Sequence, residues 1–252
     1  MLFGLFASGS AVARNAAGTE LSPGQLTQRA RQASPEELAQ AWLGADKMVR
    51  LAAVARGGAS VVMQSPGREQ TMDASNADAL ARTFQERRSI FEAEIKRRGF
   101  AAFAGSYTIH VADSCVAANA PAWLLNRSPQ AKGNASTKFA TQVRIRQQGF
   151  HVTLIDHAED VRSGEALDIE MDGAAAESSF VLEDRFSGDI LYAGRMTGRD
   201  ITIRPMAELI QGTYSSYPGW IARPDANALR ACTITLTAAK PPASRQGSRH
   251  RQ

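Results

Sequence analysis

The chain has 252 residues, 44% of them hydrophobic and 21% charged, with a formal net charge of +4. At roughly 150 residues per domain this length excludes a single-core mini-protein, and the ordinary composition excludes wholesale disorder and collagen-like structure. No uninterrupted apolar run approaches the roughly 18 residues of a membrane-spanning helix, which excludes a polytopic helical membrane protein. The excess of base resides in Lys240, Arg245, Arg249 and Arg251, so the body ahead of them is neutral. A nucleic-acid partner is therefore not expected.

Residues 1–13 read as a signal peptide. Leu2-Phe3-Gly4-Leu5-Phe6-Ala7 is a short apolar run, and Ala11-Val12-Ala13 offers small residues at alternate positions ahead of Arg14. Met1 abuts the apolar run without a positive segment, so either the leader begins further upstream or the likeness is accidental. Residues 14–33 are small and polar and read as a flexible lead-in.

Residues 34–99 read as a helical region of two helices. Ser34-Pro35-Glu36-Glu37 combines an N-cap serine, a proline at the first helical position and a capping-box glutamate. Leu38, Trp42, Ala45, Val49 and Ala52 then mark one helix face, and Gly57-Gly58 ends it. A short apolar run, Val61-Val62-Met63, leads into the turn Ser65-Pro66-Gly67. The second helix opens near Asp73 or Ser75, carries Ala77, Leu80, Phe84, Phe91 and Ile95 on one side, and stops at Gly99. Arg82, Arg87, Arg88, Lys96, Arg97 and Arg98 make it basic, which is read as a solvated face helped by the macrodipole. Contact with a membrane through the N-terminus or these basic segments stays open as an alternative.

From Phe100 the period falls from about 3.6 to 2 and stays there. Strand candidates centre on Tyr107–Val111, Val143–Ile145, Phe150–Leu154, Leu167–Met171, Phe180–Leu182, Ile190–Tyr192, Ile201–Ile203 and Cys232–Leu236, separated mostly by turn residues. Eight sequential strands suffice to close an up-and-down barrel over residues 100–240. The fold class is thus α+β, two helices followed by an eight-stranded antiparallel up-and-down β-barrel. Residues 241–252 read as a disordered basic tail.

Closure makes a prediction about the two cysteines. The first and last strands of such a barrel pair antiparallel, so the end of the first meets the beginning of the last. Cys115 lies just past the first strand and Cys232 near the start of the last, which predicts a disulfide and an oxidising compartment. In the chain-entropy model a loop of this length contributes about 4.7 kcal/mol at most.

Phe103-Ala104-Gly105-Ser106-Tyr107 has a glycine two residues before an aromatic on the first strand after a helical lead-in. With the eight strands and the bridge to the last, this stretch resembles the lipocalin-like, or calycin, class of exported bacterial barrels over residues 100–240. The resemblance implies a periplasmic or secreted protein and a barrel of the kind that carries small apolar ligands.

Catalytic signatures are missing. There is no Gly-x-Ser-x-Gly elbow, phosphate-binding loop, His-Glu-x-x-His or Gly-x-Gly-x-x-Gly, and no catalytic residue, metal or cofactor is expected. His110 and His151 fall out of phase with the inward apolar residues. His157, in Asp156-His157-Ala158-Glu159-Asp160, reads as part of a solvated polar turn, and with Asp156 is the first suspect should an activity exist. Asp168-Ile169-Glu170-Met171-Asp172-Gly173 resembles the start of a calcium loop, but Ser179 stands where a bidentate glutamate belongs. From Asp156 to Asp189 eleven acids face only Arg162 and Arg185, a strongly negative side suited to the basic helix or a cationic partner.

The segment most suited to recognition is Thr213-Tyr214-Ser215-Ser216-Tyr217-Pro218-Gly219-Trp220, in a connection between the last two strands far longer than a meander needs. Tyr214, Tyr217 and Trp220 either anchor a ligand or partner or plug one barrel mouth. Bulky inward residues favour a filled barrel. The expectation is a non-catalytic exported envelope protein that binds a protein partner. The alternatives are a carrier of a small apolar ligand and an inhibitor of an extracellular protease.

Overall fold

Two helices open by the same device. Ser22 and Ser34 each accept a hydrogen bond from the backbone N–H three residues on, while Gln25 and Glu37 reach back to the serine N–H, and Pro23 and Pro35 occupy the first helical turn. These boxes start α1 (Pro23–Gln32) and α2 (Pro35–Arg56). A third helix, α3 (Ala77–Arg98), ends at Gly99, whose positive φ of 80° is one that glycine adopts without strain. The computed structural model describes residues 4–6, 21–65, 68–112, 115, 137–160, 163–184, 190–206 and 230–239.

Helix α1 corrects the reading of residues 14–33 as a flexible lead-in throughout. Its Leu26 and Ala30, four residues apart, are buried against the helical layer. Arg98 at the end of α3 donates to the carbonyls of Ala30, Arg31 and Ala33, so the C-terminus of α1 is held by a cation 65 to 68 residues away. The helical region also contains strands. β1 (Gly4–Phe6), β2 (Val61–Ser65) and β3 (Arg68–Met72) form a small sheet in which β1 runs parallel and β3 antiparallel to β2.

The barrel is built from β4 (Gly105–Val111), β5 (Thr137–Gln148), β6 (His151–Asp160), β7 (Ala166–Ala176), β8 (Ser179–Asp184), β9 (Ile190–Thr197), β10 (Asp200–Pro205) and β11 (Ile234–Ala238). Each strand pairs antiparallel with the next, and β11 returns to β4, so the eight strands close without a free edge. The register Ile234↔Val111 brings the end of β4 to the start of β11. Cys115 and Cys232 are joined there by the expected disulfide, with Cα atoms 4.4 Å apart.

Alternation along the strands sorts the side chains. Tyr107, Val143, Ile145, Val152, Leu154, Met171, Phe180, Leu182, Tyr192, Ile201, Ile203, Ile234 and Leu236 face inward as one buried cluster. Gly194 makes room for the Phe180 ring, since a Cβ there would come within 2.2 Å of Phe180 Cζ. The alternation Phe150, Val152, Leu154 predicts that Phe150 faces inward with the other two, and the structure corrects this. Phe150 occupies the turn between β5 and β6, where strand alternation no longer sets direction, and packs outside the barrel edge-on to Trp42 at 5.0 Å.

The outer faces of β7, β8 and β9 present Ala174, Ala176, Val181 and Ala193, and α2 lies on this floor with Leu38, Ala39, Ala41, Trp42 and Ala45. Small residues on both surfaces let helix and sheet approach closely. Among the described residues no helix is long and apolar enough to cross a membrane.

Candidate functional site

The two ends of the barrel are unlike. At one end β5–β6, β7–β8 and β9–β10 are joined by two-residue turns between Gln148 and His151, Ala176 and Ser179, and Thr197 and Asp200. Gly149, Glu177 and Gly198 take positive φ in these turns. Glu177 is held in that conformation by the segment leaving α3, for its N–H donates to Gly99 O at 2.8 Å and its carbonyl accepts from Ala101 N–H at 2.6 Å. Just beyond, Phe103 closes this end of the barrel. It is fully buried, lies edge-on to Phe180 at 5.0 Å, donates its N–H to Gln147 Oε1 and accepts the Tyr107 hydroxyl on its carbonyl.

Every longer connection leaves the other end, between Val111 and Thr137, Asp160 and Ala166, Asp184 and Ile190, and Pro205 and Ile234. The disulfide ties the first of these to the last. Tyr214, Tyr217 and Trp220 belong to the connection from Pro205 to Ile234 and lie outside the described residues. Residues 241–252, read as a basic tail, also lie outside them, as do most of residues 1–13, read as a signal peptide.

Asp156 is a buried polar group in this half of the barrel. It was expected in a solvated turn at a strand end, but β6 continues to Asp160 and alternation from Val152 and Leu154 turns Asp156 inward, 0% exposed, beside Val143 and Ile169 in the neighbouring strands. His157 faces the opposite way and is exposed. The two side chains suspected of acting together are therefore on opposite faces of one strand. His110 is exposed on the outer wall as its phase required. Among the described residues no three His, Cys, Asp or Glu side chains are placed to hold a metal ion.

Among the described residues the acids of this stretch are dispersed rather than displayed as one surface. Asp156 is inside the barrel, Glu170 meets Arg146 at 3.0 Å, and Glu183 is buried beneath α2. Arg50 of α2 reaches Glu183 Oε1 at 2.5 Å and Asp46 Oδ2 at 3.1 Å, and Arg88 of α3 donates to Asp46 Oδ1 at 2.6 Å. Glu183 Oε2 is buried without a hydrogen bond among the described residues. Burial pushes the Glu183 carboxyl up to about 7 against the pull of Arg50. The basic helix meets the acidic stretch where Arg98 pairs with Glu177 at 3.3 Å. Other charges of this helix are met within the helical layer: Arg88 pairs with Asp46 of α2, and Arg97 and Arg98 hydrogen-bond Glu94 and hold its carboxyl at about 2.

His151 links the barrel to the helical layer. Its ring stacks on Phe150 at 4.3 Å and meets Trp42 edge-on at 4.9 Å, and the resulting desolvation lowers its pKa below the usual histidine value. Periodicity indicated only that this histidine points outward. What covers it comes from a helix more than one hundred residues earlier in the chain.

The site geometry is thus a closed barrel with a buried apolar interior, one end closed by Phe103 and the other looped and disulfide-tied, and a helical layer on one flank. No protein-family model, curated protein or solved structure gives a significant match to this chain.

Proposed function

We propose that this chain is an exported protein of the bacterial envelope, periplasmic or secreted, that acts without catalysis by holding a protein partner at the looped end of its barrel. The observation that carries this reading is the asymmetry of the two ends. The short-turn end is occupied by Phe103, whereas the connection bearing Tyr214, Tyr217 and Trp220 leaves the end where a disulfide ties two chain segments together. Tyrosine and tryptophan on a connection anchored in this way suit a recognition surface, because they contribute large contact area at low entropic cost. The disulfide also suits an oxidising compartment.

A lipocalin-like carrier of a small apolar ligand is the second reading. The eight-stranded closure favours it, since a barrel of this size is just wide enough to be filled by side chains or to hold one small ligand. The buried inward cluster weighs against it.

The test is a photo-reactive residue at Trp220, with another at Thr202 on the outer wall as control, followed by irradiation in the native host. A protein adduct at 220 and none at 202 supports the reading, while equal labelling or none removes it. Native mass spectrometry of the unreduced protein from the same cells tests the remaining parts. A mass lacking residues 1–13 and two hydrogens is expected for the exported, bridged form. Additional small-molecule mass would promote the carrier, and an intact chain with free thiols would remove export.

A further inference from the structure

The outer wall formed by β4, β5 and β6 has a character that neither the helical layer nor the looped end shares. Alternation points Ser106 on β4, Arg144, Arg146 and Gln148 on β5, and His151 and Thr153 on β6 away from the core. The register sets Ser106 against Arg144, Arg146 against Thr153 and Gln148 against His151. These six side chains line an open groove of about 810 Å³, within the size range of small-molecule sites. We propose that this groove binds a small soluble oxyanion, a phosphate- or carboxylate-bearing molecule, through Arg144 with Arg146 and His151.

Three features carry the assignment. First, all six polar side chains bring N–H or O–H donors and none is a carboxylate, so the lining is rich in donors and poor in competing acceptors. Second, the two arginines are not equivalent. Arg146 is engaged with Glu170 at 3.0 Å, and the Thr153 hydroxyl donates to Asp172 at 3.0 Å. Arg144 is exposed and has no acceptor among the described residues, leaving its planar fork open to a bidentate oxyanion. Third, His151 is positioned before any ligand arrives. Phe150 stacks on it and Trp42 abuts it, so little conformational freedom remains to be lost on binding. Glu170 and Asp172 border the groove from β7 through their bonds to Arg146 and Thr153, which orients those two donors along the wall and leaves Arg144 as the principal cation. The inference does not depend on export or on the looped end.

The test uses the full chain and inorganic phosphate, followed by NMR at constant ionic strength with chloride as the balancing anion. Saturable shifts at the Arg144 Nε–H, the His151 ring and the Ser106 amide are expected. Arg144→Gln should weaken binding by about tenfold or more, Arg144→Lys should weaken it less, and Arg195→Gln, an equal loss of charge on β9, should leave it unchanged. Unchanged barrel amide shifts away from the groove establish that each variant is folded. Linear shifts that chloride reproduces would overturn the proposal, as would equal losses in the Arg144→Gln and Arg195→Gln variants. Groove protection by anionic-lipid vesicles with no response to phosphate would also overturn it, by assigning the wall to a membrane surface.

Discussion

The barrel interior and the seam between barrel and helices are both buried, yet they cohere by different physics. Inside, apolar side chains interlock around Phe180 and Tyr192, the ladder closes on itself, and a covalent bridge joins first strand to last. At the seam, an alanine and valine floor receives α2, and the contact is rimmed by Asp46, Arg50, Arg88 and Glu183. Shape governs the first region. Shape and protonation together govern the second, because among the described residues the buried carboxyl of Glu183 is satisfied at one oxygen only.

The sharpest way to break this comparison is to hollow the interior. Phe180→Ala removes a ring that fills the space above Gly194 and meets Phe103, and should cost about 3–5 kcal/mol. Denaturant unfolding should register it as a loss for the whole chain. A result below about 1 kcal/mol would mean that the interior is loosely packed.

The next effect belongs to the seam and depends on pH. Glu183 titrates near 7 in the fold against an ordinary 4.5. The folded state therefore holds this proton more tightly, and the favourable contribution present below about 4.5 is lost as pH rises through 7. At ~1.4 kcal/mol per pKa unit the loss is about 3 kcal/mol. Denaturation midpoints at pH 5 and pH 8 should fall more for the wild type than for Glu183→Gln, which has no such proton to release. Parallel slopes for the two proteins would refute the assignment.

Overfilling the floor is milder. Ala174→Leu pushes against α2 and should cost about 1–3 kcal/mol. Hydrogen exchange should then rise in α2 while β4 and β11 keep their protection. Uniform acceleration would mean that helices and barrel open as a single unit. The smallest effect is expected at Arg204, which meets Glu36 at 2.6 Å on an exposed rim. Arg204→Ala should change stability by less than about 1 kcal/mol, and by less still in high salt.

The barrel was readable because its strands announce themselves locally. The alternation of Tyr107, Ile109 and Val111, or of Cys232, Ile234 and Leu236, follows from a two-residue repeat with one face buried. Sequential short strands leave few ways to be joined, and the disulfide followed from closure. α1 carried an equally local mark, the Ser22–Gln25 box with Leu26 and Ala30 four apart, which the polar composition of the segment obscured. The candidate site was less legible. Arg144 and Arg146 lie two residues apart on one face, but no periodicity reports that Ser106, His151 and Thr153 line the same groove.

By itself, the sequence determined the order of the barrel strands and of the two longer helices ahead of them, the direction in which most barrel side chains point and the pairing of Cys115 with Cys232, since each depends on local repeat or on the arithmetic of closing a barrel. Tertiary structure alone decided that Phe150 packs outward against Trp42 and that Arg50 meets Glu183 from 133 residues away. Those outcomes depend on which surfaces come to face each other, and a contact between distant segments leaves no period in either one.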